Sequence, residues 1–550
     1  MKQKILFLLI LFLGMFIVSF AQTSDWIWAR SNTGGADTRC SSVTSDNSGN
    51  IYATGRYGSD SVSFGTYSFS NNGFDDIFVV KYDVLGNVIW ARTAGSTSWD
   101  HANSIITDDS GNVYVTGDFQ STITFGNDTL SGAIFIVKYD SSGNIIWVHS
   151  AGSGLDSGAS LKKDNLGNIY LAGELASASA TFGSFTIINS SIIGGGADAF
   201  IVKYTPTGNV LWAQAFGGGN SCVANVTSVT TDNSGNIGVC GCFVGSSITI
   251  GSFTLYNVNP TFGYNDFFIA KFDSGGNAIW AKSAGGTDFD YAASITSDPS
   301  GSFHITGMFI SPSVIFENDT LHLSDTQSWI TYGDTYVVKY DSSGTELWAK
   351  SAQGNYRDWG YSICADATGN VFLTGYFDSN ILVIGNDTLA NPGFYVAKYD
   401  PNGNVLMAKG GYPYLHCAGS AITIDNSGSV IIGGFFSQLP ATFGADTLYW
   451  TGMHNMFVAK LTSTVGVEET FYEKAIMLYP NPSNGIFTVK NVFIGNIEIN
   501  IFNSIGQEVY NIEKTEGEDF QIDLKDNPSG IYFVSLISEG KKYNAKLIKD

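Results

Sequence analysis

The feature that most constrains this chain is a ten-residue segment that recurs seven times. It is first read as DNSGNIYATG from Asp46, and it returns with changes at intervals of 56 to 68 residues. Repetition at such a period is typical of propellers and solenoids, in which each copy forms one unit of a continuous fold. The copies begin at Asp46, Asp108, Asp164, Asp232, Asp298, Asp366 and Asp425.

A second repeated segment follows each copy of the first. It reads DIFVVKYDVLGNVIWAR from Asp76, and its seventh copy stops early, as MFVAKL from Met456. Runs of Val, Ile, Tyr and Phe favour strands, and the D-x-x-G-N pieces favour tight turns because Asp binds its own backbone and Gly adopts positive φ. Each repeat therefore predicts four short strands, which is the content of one propeller blade.

The seventh repeat lacks its fourth strand, and the start of the chain supplies a matching one. Trp28, in the segment SDWIWAR, corresponds to the fourth-strand tryptophan of the repeats, as at Trp90. We predict an all-β chain with a seven-bladed β-propeller over residues 22–463, closed by this N-terminal strand so that no sheet edge stays open. The repeats resemble the bacterial β-propeller repeats called SBBP repeats over about 80% of the chain. That resemblance implies an architecture and leaves the function open.

The first 21 residues have the pattern of an export signal. Lys2 and Lys4 precede an apolar run over residues 5–20, which is shorter than the roughly 20 residues needed to span a bilayer. Small residues before the site predict cleavage between Ala21 and Gln22, and the alternative is an uncleaved membrane anchor. No later stretch is apolar enough to cross a membrane, so we expect no transmembrane segment in the mature chain.

The pattern changes after Thr464. Residues 464–475 are polar and carry no repeated segment, so they are predicted to be a linker. Residues 476–550 alternate apolar and polar residues in short runs between Gly, Pro and Asn. This pattern favours a small Ig-like β-sandwich.

The tail resembles the type A sorting domain of the type IX secretion system along its whole length. The resemblance implies a Bacteroidetes-type bacterium, contact with the type IX secretion machinery, and removal of the tail. The protein would then be secreted or held at the cell surface, and the alternative is an ordinary C-terminal Ig-like module. The matching residues are Tyr479, Pro480, Asn481, Pro482, Gly485, Gly506, Gly530, Tyr532 and Lys546.

Charge and motifs narrow the class of function. The net charge of −22 argues against a nucleic-acid partner, because such proteins carry a basic surface. The sequence contains no G-x-S-x-G, no H-E-x-x-H and no phosphate loop, and its six histidines and six cysteines show no metal-ligand spacing. We therefore predict no cofactor, no metal site and no catalytic residue. One Asp per turn is too few carboxylates for a calcium loop, and the cysteines are expected to be buried, with at most one or two disulfides.

A second pattern lies at the predicted mouth of the central channel. An acid precedes the innermost strand in five repeats, and aromatic residues neighbour several of these acids. Carboxylates and rings that converge there would hold a cation, an amine or a sugar, and the alternative is that each Asp caps the turn at its strand entry. The long, variable connections between second and third strands open on the same face. The candidate ligand-facing residues are Asp37, Asp100, Asp156, Asp290, Asp358, Trp99, His101, Tyr291 and Trp359.

Two functions remain open at this stage. The first is a non-enzymatic module for binding, adhesion or scaffolding, with a glycan or protein ligand. The second is a secreted carbohydrate-active enzyme, a glycosidase or lyase, that uses acids at the channel mouth. The uniform blades favour the first, because an enzyme usually breaks the symmetry of one or two blades with unusual polar residues.

Overall fold

The computed structural model describes residues 26–35, 37–58, 60–191, 195–219, 222–324, 332–411, 417–462, 477–490, 497–503, 507–514, 520–538 and 541–550. The predicted cleavage site at Ala21 and Gln22, the predicted linker and Gly506 lie outside these residues. The chain divides into two compact units, Met1–Thr464 and Val465–Asp550. The all-β prediction is confirmed: in the described ranges the only helical element is a 3-10 turn at Pro260–Phe262.

The described part of the first unit contains seven four-stranded antiparallel sheets, numbered here in chain order. In sheets 1 to 6 the first to fourth strands neighbour each other in sequence order. Sheet 1 is Thr38–Ser45, Ile51–Tyr57, Asp76–Tyr82 and Val88–Ala94; sheet 2 is Asp100–Thr107, Val113–Phe119, Ile134–Tyr139 and Ile145–Ala151. Sheet 3 is Ser157–Lys163, Ile169–Leu175, Asp198–Tyr204 and Val210–Phe216; sheet 4 is Val223–Thr231, Ile237–Val244, Asn265–Phe272 and Ala278–Ala284. Sheet 5 is Asp290–Ser297, Phe303–Phe309, Asp334–Tyr340 and Glu346–Ser351; sheet 6 is Asp358–Ala365, Val371–Phe377, Gly393–Tyr399 and Val405–Gly410.

Sheet 7 joins the two ends of the first unit. Its first three strands are Ala418–Ile424, Val430–Phe436 and Asn455–Leu461, and its fourth is the N-terminal Trp26–Ser31. Trp28 pairs with Lys460, just as Trp90 pairs with Lys81 in sheet 1.

The D-x-x-G-N turns owe their shape to the side chain of their Asp. Asp46 Oδ1 accepts hydrogen bonds from the backbone N–H groups of Ser48 and Asn50, both at 2.9 Å, and Oδ2 accepts one from the Asn50 side chain at 2.8 Å. Gly49 has a φ of +80°, which side-chain-bearing residues rarely adopt. The turn itself thus satisfies the carboxylate, and one Asp per turn is enough.

Neighbouring sheets are joined by the repeated Trp and Lys. Trp90 Nε1 in sheet 1 donates to the carbonyl of Ser141 in the turn of sheet 2, at 3.1 Å, and a Cβ on Gly143 of that turn would lie 2.9 Å from the indole. Lys81 Nζ donates to the same carbonyl at 3.1 Å and lies 3.9 Å from the Asp46 carboxylate. Trp, Lys and the turn Gly therefore recur together because they form one contact between sheets.

The same contact connects sheet 7 to sheet 1. Trp28 Nε1 donates to the carbonyl of Val84 at 3.1 Å, and Arg30 Nε donates to the carbonyl of Gly86 at 3.0 Å. The first strands contact each other in order from sheet 1 to sheet 7, and the first strand of sheet 7 contacts that of sheet 1. This cyclic order is consistent with a β-propeller.

The long connections between second and third strands are hairpins rather than irregular loops. In sheet 5, Asp319 of the hairpin accepts a hydrogen bond from the backbone N–H of Ala349, and in sheet 7 Asp446 accepts one from Ala29, both at 2.8 Å. These contacts cover part of the outer sheet edge, which would otherwise be open to pairing. The hairpin strands are Ser61–Phe64 and Tyr67–Ser70, Ile123–Phe125 and Asp128–Leu130, Ser179–Phe182 and Phe185–Ile188, Ser247–Ile250 and Phe253–Tyr256, Ser313–Ile315 and Thr320–His322, Ile381–Ile384 and Asp387–Ala390, and Ala441–Phe443 and Asp446–Leu448.

The second unit contains two antiparallel sheets around one core. Phe487, Val489 and Ile522 of one sheet and Ile499 and Val534 of the other belong to the same buried cluster. The first sheet consists of Met477–Tyr479, Ile486–Lys490 and Phe520–Asp523, and the second of Ile497–Asn503, Glu508–Lys514, Gly530–Ser538 and Lys541–Lys549.

All six cysteines are free thiols. Five are buried and Cys364 is half-buried. Burial raises the pKa of Cys40 to about 12, so this thiol stays protonated and packs as a small apolar group.

Candidate functional site

One position near the start of the innermost strand differs from sheet to sheet. Three residues further along the strand, five sheets agree: Ser42, Ser104, Ser160, Ser294 and Ser362 accept hydrogen bonds from the backbone of the next sheet. Variation on a uniform, rigid scaffold marks a surface that is free to serve binding. The register places at the variable position Arg39, His101, Ser157, Asn225, Tyr291, Trp359 and Ala418.

Four of the five predicted aspartates lie in the interior, no more than 1% exposed. Asp100 accepts hydrogen bonds from the backbone N–H and the hydroxyl of Ser96. Asp156 accepts the corresponding bonds from Ser177. Their carboxylates therefore face turn amides and hydroxyls rather than solvent, which is the geometry of turn capping. The other two members of this buried set are Asp290 and Asp358.

Burial also raises the pKa of two of these carboxyls, Asp290 and Asp358. Desolvation is the largest cause that raises the pKa of Asp290 to about 7, and the nearby Asp266 raises it further. Desolvation, assisted by Asp334, likewise raises the pKa of Asp358 to about 8. A surface Asp titrates near pH 4, so these two groups hold a proton through a range in which exposed carboxylates are charged.

Asp37 differs from the other four because it lies in a partly exposed ion-pair cluster. Arg39 Nε donates to Asp37 Oδ1 at 2.9 Å, and His454 Nδ1 lies 3.0 Å from the same oxygen. Partial burial alone would raise the pKa of Asp37, but the hydrogen bonds to His454 and Arg39 outweigh it and lower the pKa to about 2. Asp37 is therefore a fixed negative charge where sheets 7 and 1 meet.

His101 lies in a second polar cluster, where sheets 1 and 2 meet. Its Nδ1 is 3.3 Å from Asp118 Oδ2, and its Nε2 is 3.4 Å from Asp75 Oδ2, which also pairs with Arg56 at 3.0 Å. Burial alone would lower the pKa of His101, but the hydrogen bonds to Asp118 and Asp75 raise it to about 9. The cluster can therefore both donate and accept hydrogen bonds at neutral pH.

An exposed pair of aromatic rings adjoins this cluster. The rings of Phe74 and Trp99 stack with centroids 5.0 Å apart and an angle of 9° between their planes. Phe74 is 60% exposed and Trp99 41%, which is high for rings of this size. A flat apolar surface beside hydrogen-bonding groups suits the face of a sugar ring.

A second aromatic group runs across sheets 4, 5 and 6. Tyr291 stacks on Trp359 with centroids 6.2 Å apart, and Trp359 contacts Tyr361 at 5.5 Å. Phe289 stacks on Tyr291 at 6.2 Å and meets Tyr264 edge-on at 4.8 Å. All five rings are half-buried, so their remaining surface faces solvent.

The predicted ligand-facing residues thus do not form one acidic ring: four aspartates are buried, Asp37 lies in its own ion-pair cluster, and the other four residues form two groups. In one group the ring centroids of Trp99 and His101 are 6.4 Å apart, and in the other Tyr291 and Trp359 stack. Phe74 and Tyr264, which no sequence prediction included, both lie two residues before the Asp that begins or enters a third strand. Comparing the repeats position by position, rather than searching for acids, would have found them.

The candidate site thus combines hydrogen-bonding groups, charged groups and aromatic rings. The four buried aspartates are not exposed at its surface. Among the residues that the structure describes, no group of three or more His, Cys, Asp or Glu is placed to hold a metal ion. The arrangement is suited to holding a polar ligand by stacking and hydrogen bonding.

In the tail, the motif residues join the first loop to the last strand. Asn481 Oδ1 accepts a hydrogen bond from the backbone N–H of Ile548 at 2.8 Å, and the N–H of Ser483 donates to the Ile548 carbonyl at 3.0 Å. Gly485 has a φ of +110°, and a Cβ there would lie 2.9 Å from Lys525 Cα. The motif therefore maintains a close backbone approach that closes the fold.

The other motif residues lie on the strands or in the same loop. Pro480 and Pro482 belong to the loop, and Tyr532 is buried with its hydroxyl donating to the Pro528 carbonyl. Tyr479 ends the first strand of the tail, Gly530 begins the strand that includes Tyr532, and Lys546 lies on the last strand, opposite Phe533.

Comparison with known families identifies this unit. Residues 477–550 match the family described as a secretion system C-terminal sorting domain. The tail is a type IX sorting domain. The sorting domain points to secretion and the cell surface, and it implies interaction with the type IX secretion machinery. Within the described ranges, no helix is long and apolar enough to cross a membrane.

The two sequence relatives are distant. An uncharacterized WD repeat-containing protein of Acanthamoeba polyphaga mimivirus is 26% identical over 497 residues, covering 73% of this chain and 35% of that protein. The regulatory protein FlaEY of Caulobacter vibrioides is 25% identical over 149 residues, covering 27% of this chain and 15% of that protein. The chain thus spans 35% or less of the length of either relative.

Similar solved structures are equally remote. Sqt1 from Chaetomium thermophilum covers 80% of this chain and 99% of its own, with 10% identity and a TM-score of 0.35. A mutant of the Synechocystis apocarotenoid oxygenase covers 80% of this chain and 95% of its own, with 8% identity and a TM-score of 0.36. Likenesses at this level carry no argument about function.

Proposed function

We propose that this chain is an SBBP-type, seven-bladed β-propeller, closed by its N-terminal strand, that binds a glycan or protein outside the cell without turning it over. Its Ig-like sorting domain delivers it through the type IX secretion system of a Bacteroidetes-type bacterium. In this proposal export cleaves the chain between Ala21 and Gln22, and the tail is later removed. The observation that carries the binding role is the variable position of the innermost strands, set in an otherwise uniform scaffold.

A glycan suits the chemistry of this face better than a ligand with an extended apolar surface would. Trp99 and Phe74 offer a flat ring surface beside the charged cluster around His101, and Tyr291 and Trp359 offer a second one. Rings stack on the C–H faces of sugars, while charged and amide groups bind their hydroxyls. In this proposal Trp99, His101, Tyr291 and Trp359 contact the ligand, and the buried aspartates hold the turns beneath them.

The alternative is a glycosidase or lyase. The observation that favours it is the raised pKa of Asp290 and Asp358, about 7 and 8, because a general acid works best when its pKa is near the working pH. Both groups are buried behind turn residues, so this mechanism requires the turns to open.

A polysaccharide panel tests both functions in one experiment. The chain without residues 1–21 is applied to immobilised neutral, acidic and cationic polysaccharides, and both retained protein and released sugar are measured. Retention without released sugar is the expected result. Released sugar would establish the alternative, and an absence of both signals would exclude a glycan among those tested and direct the search to a protein ligand.

A further inference from the structure

A cavity of about 440 Å³ lies where sheets 5 and 6 meet. Its volume is in the range of known small-ligand sites. The described residues that line it carry amides, a hydroxyl, an apolar side chain and exposed backbone, and none of these residues is charged. They are Ser324, Gln353, Gly354, Asn355, Asn380 and Ile381.

The cavity occurs where the repeat is broken. In sheets 1, 3 and 4 the fourth strand is followed by a glycine, at Gly95, Gly217 and Gly285, and a Cβ at any of them would lie within 2.1 Å of the Asp that begins or enters the third strand. In sheet 5 this place is taken by Gln353. It pairs with Val383 in the hairpin of sheet 6, just as Gly95 pairs with Thr124 in the hairpin of sheet 2. Gln353 therefore carries a side chain where sheets 1, 3 and 4 exclude one, and the equivalent Thr33 of sheet 7, which pairs with Ser63, carries one as well.

Hydrogen bonds hold the backbone around the cavity, and three amide side chains of its lining are exposed. Gln353 exchanges two backbone hydrogen bonds with Val383, at 2.9 and 2.8 Å. A Cβ on Gly354 would lie 2.1 Å from both the Asp358 carboxyl and the Ser379 hydroxyl, so these two buried groups pack directly behind Gly354. The three amide side chains of Gln353, Asn355 and Asn380 are exposed.

We propose that this cavity is a subsite for one neutral sugar unit of a glycan chain, an inference that rests on the proposed glycan-binding function. Amide side chains both donate and accept hydrogen bonds, which matches the adjacent hydroxyls of a sugar ring. Ile381, which is 52% exposed, and Tyr356, which is 40% exposed and follows Asn355, provide apolar surface for the C–H face.

None of the described lining residues carries a charge, and this sets the ligand class. A carboxylated or aminated sugar would lose hydration here without gaining an opposite charge from the lining residues, which is unfavourable. Asp358, buried behind Gly354, is mostly protonated at neutral pH, because burial raises the pKa of its carboxyl to about 8. A neutral hexose or pentose unit carries no charge whose hydration would be lost.

The test is affinity electrophoresis of the chain without residues 1–21, in gels that contain laminarin, mannan, alginate or chitosan. We expect retardation by laminarin or mannan, and a roughly three- to tenfold weaker affinity in each of Asn355→Ala and Asn380→Ala, which is the effect of one lost hydrogen bond. Thr122→Ala, an exposed residue at the place in sheet 2 that Asn380 has in sheet 6, is the matched control and should bind like the parent. Melting curves check that each variant is folded. If Asn355→Ala unfolds, Asn355→Thr replaces it, because Thr97 occupies the equivalent place in the connection after sheet 1.

Each contrary outcome has a distinct meaning. Unchanged retardation of the Asn355→Ala, Asn380→Ala double variant in laminarin or mannan would overturn the subsite and leave the proposed glycan binding intact. Retardation only by alginate or chitosan would overturn the neutral-sugar assignment alone. Retardation in none of the four gels would overturn both the subsite and the proposed glycan binding.

Discussion

At the scale of single residues, the protonated interior carboxyls make stability depend on pH. The pKa of Asp358 is about 8 in the folded chain and near 4 when the chain is unfolded, so its contribution to stability is complete below pH 4 and is lost as pH rises towards 8. An asparagine side chain copies the neutral, protonated form of this carboxyl. Between pH 5 and pH 8 the free energy of unfolding should fall less for Asp358→Asn than for the parent, by about 3–4 kcal/mol.

Urea unfolding at a series of pH values measures this difference. Asp128→Asn, an exposed hairpin residue, is the control and should follow the parent. Parallel pH curves for the parent and Asp358→Asn would mean that the carboxyl is ionised in the folded chain.

The repeated tryptophan is a second feature at this scale. Trp90 is 4% exposed and its indole contacts the turn of the next sheet, so Trp90→Ala should lower the free energy of unfolding by about 3–5 kcal/mol. Trp90→Met should cost less, because Met407 occupies the equivalent place in sheet 6. Denaturant unfolding of the parent, Trp90→Ala and Trp90→Met measures these differences. Equal losses of unfolding free energy in the two variants would show that side-chain volume at this place does not matter.

At the scale of elements, the N-terminal strand protects an edge. Trp26–Ser31 pairs with Asn455–Leu461, whose hydrogen-bonding edge is exposed without it. Deleting residues 22–31 should therefore lower the melting temperature and produce dimers or larger species in size-exclusion chromatography with light scattering. Ile27→Ala, which keeps the strand and alters only a half-exposed side chain, is the control and should elute like the parent. A deletion variant that also elutes like the parent would show that the strand does not protect the edge.

At the scale of the whole molecule, folding and delivery depend on different units. Each unit has its own buried cluster, and the tail alone carries the sorting match. Deleting residues 476–550 should leave a folded first unit that accumulates inside the cell envelope instead of reaching the surface. Surface protease sensitivity and fractionation measure this, and normal delivery of the truncated protein would refute the role of the tail.

The sequence predicted the strands well because their determinants are local. The turn at Asp46 is decided by hydrogen bonds within five residues, and the repeated Trp90 and Lys81 show their common role through simple recurrence. The aspartates of the candidate site were harder to interpret. Asp100 and Asp37 look alike in sequence, yet one lies under a turn and the other pairs with His454, more than 400 residues away.

The sequence by itself determined the repeat, the strand content, the completion of sheet 7 by the chain's start, and the sorting tail, because periodicity and short motifs carry that information. Only the tertiary structure decided which rings stack, which carboxyls are buried, and where a cavity opens. Those properties depend on side chains from separate sheets, such as Gln353 and Asn380, meeting across a boundary. Such a meeting is fixed by how the sheets pack, and sequence spacing does not encode it.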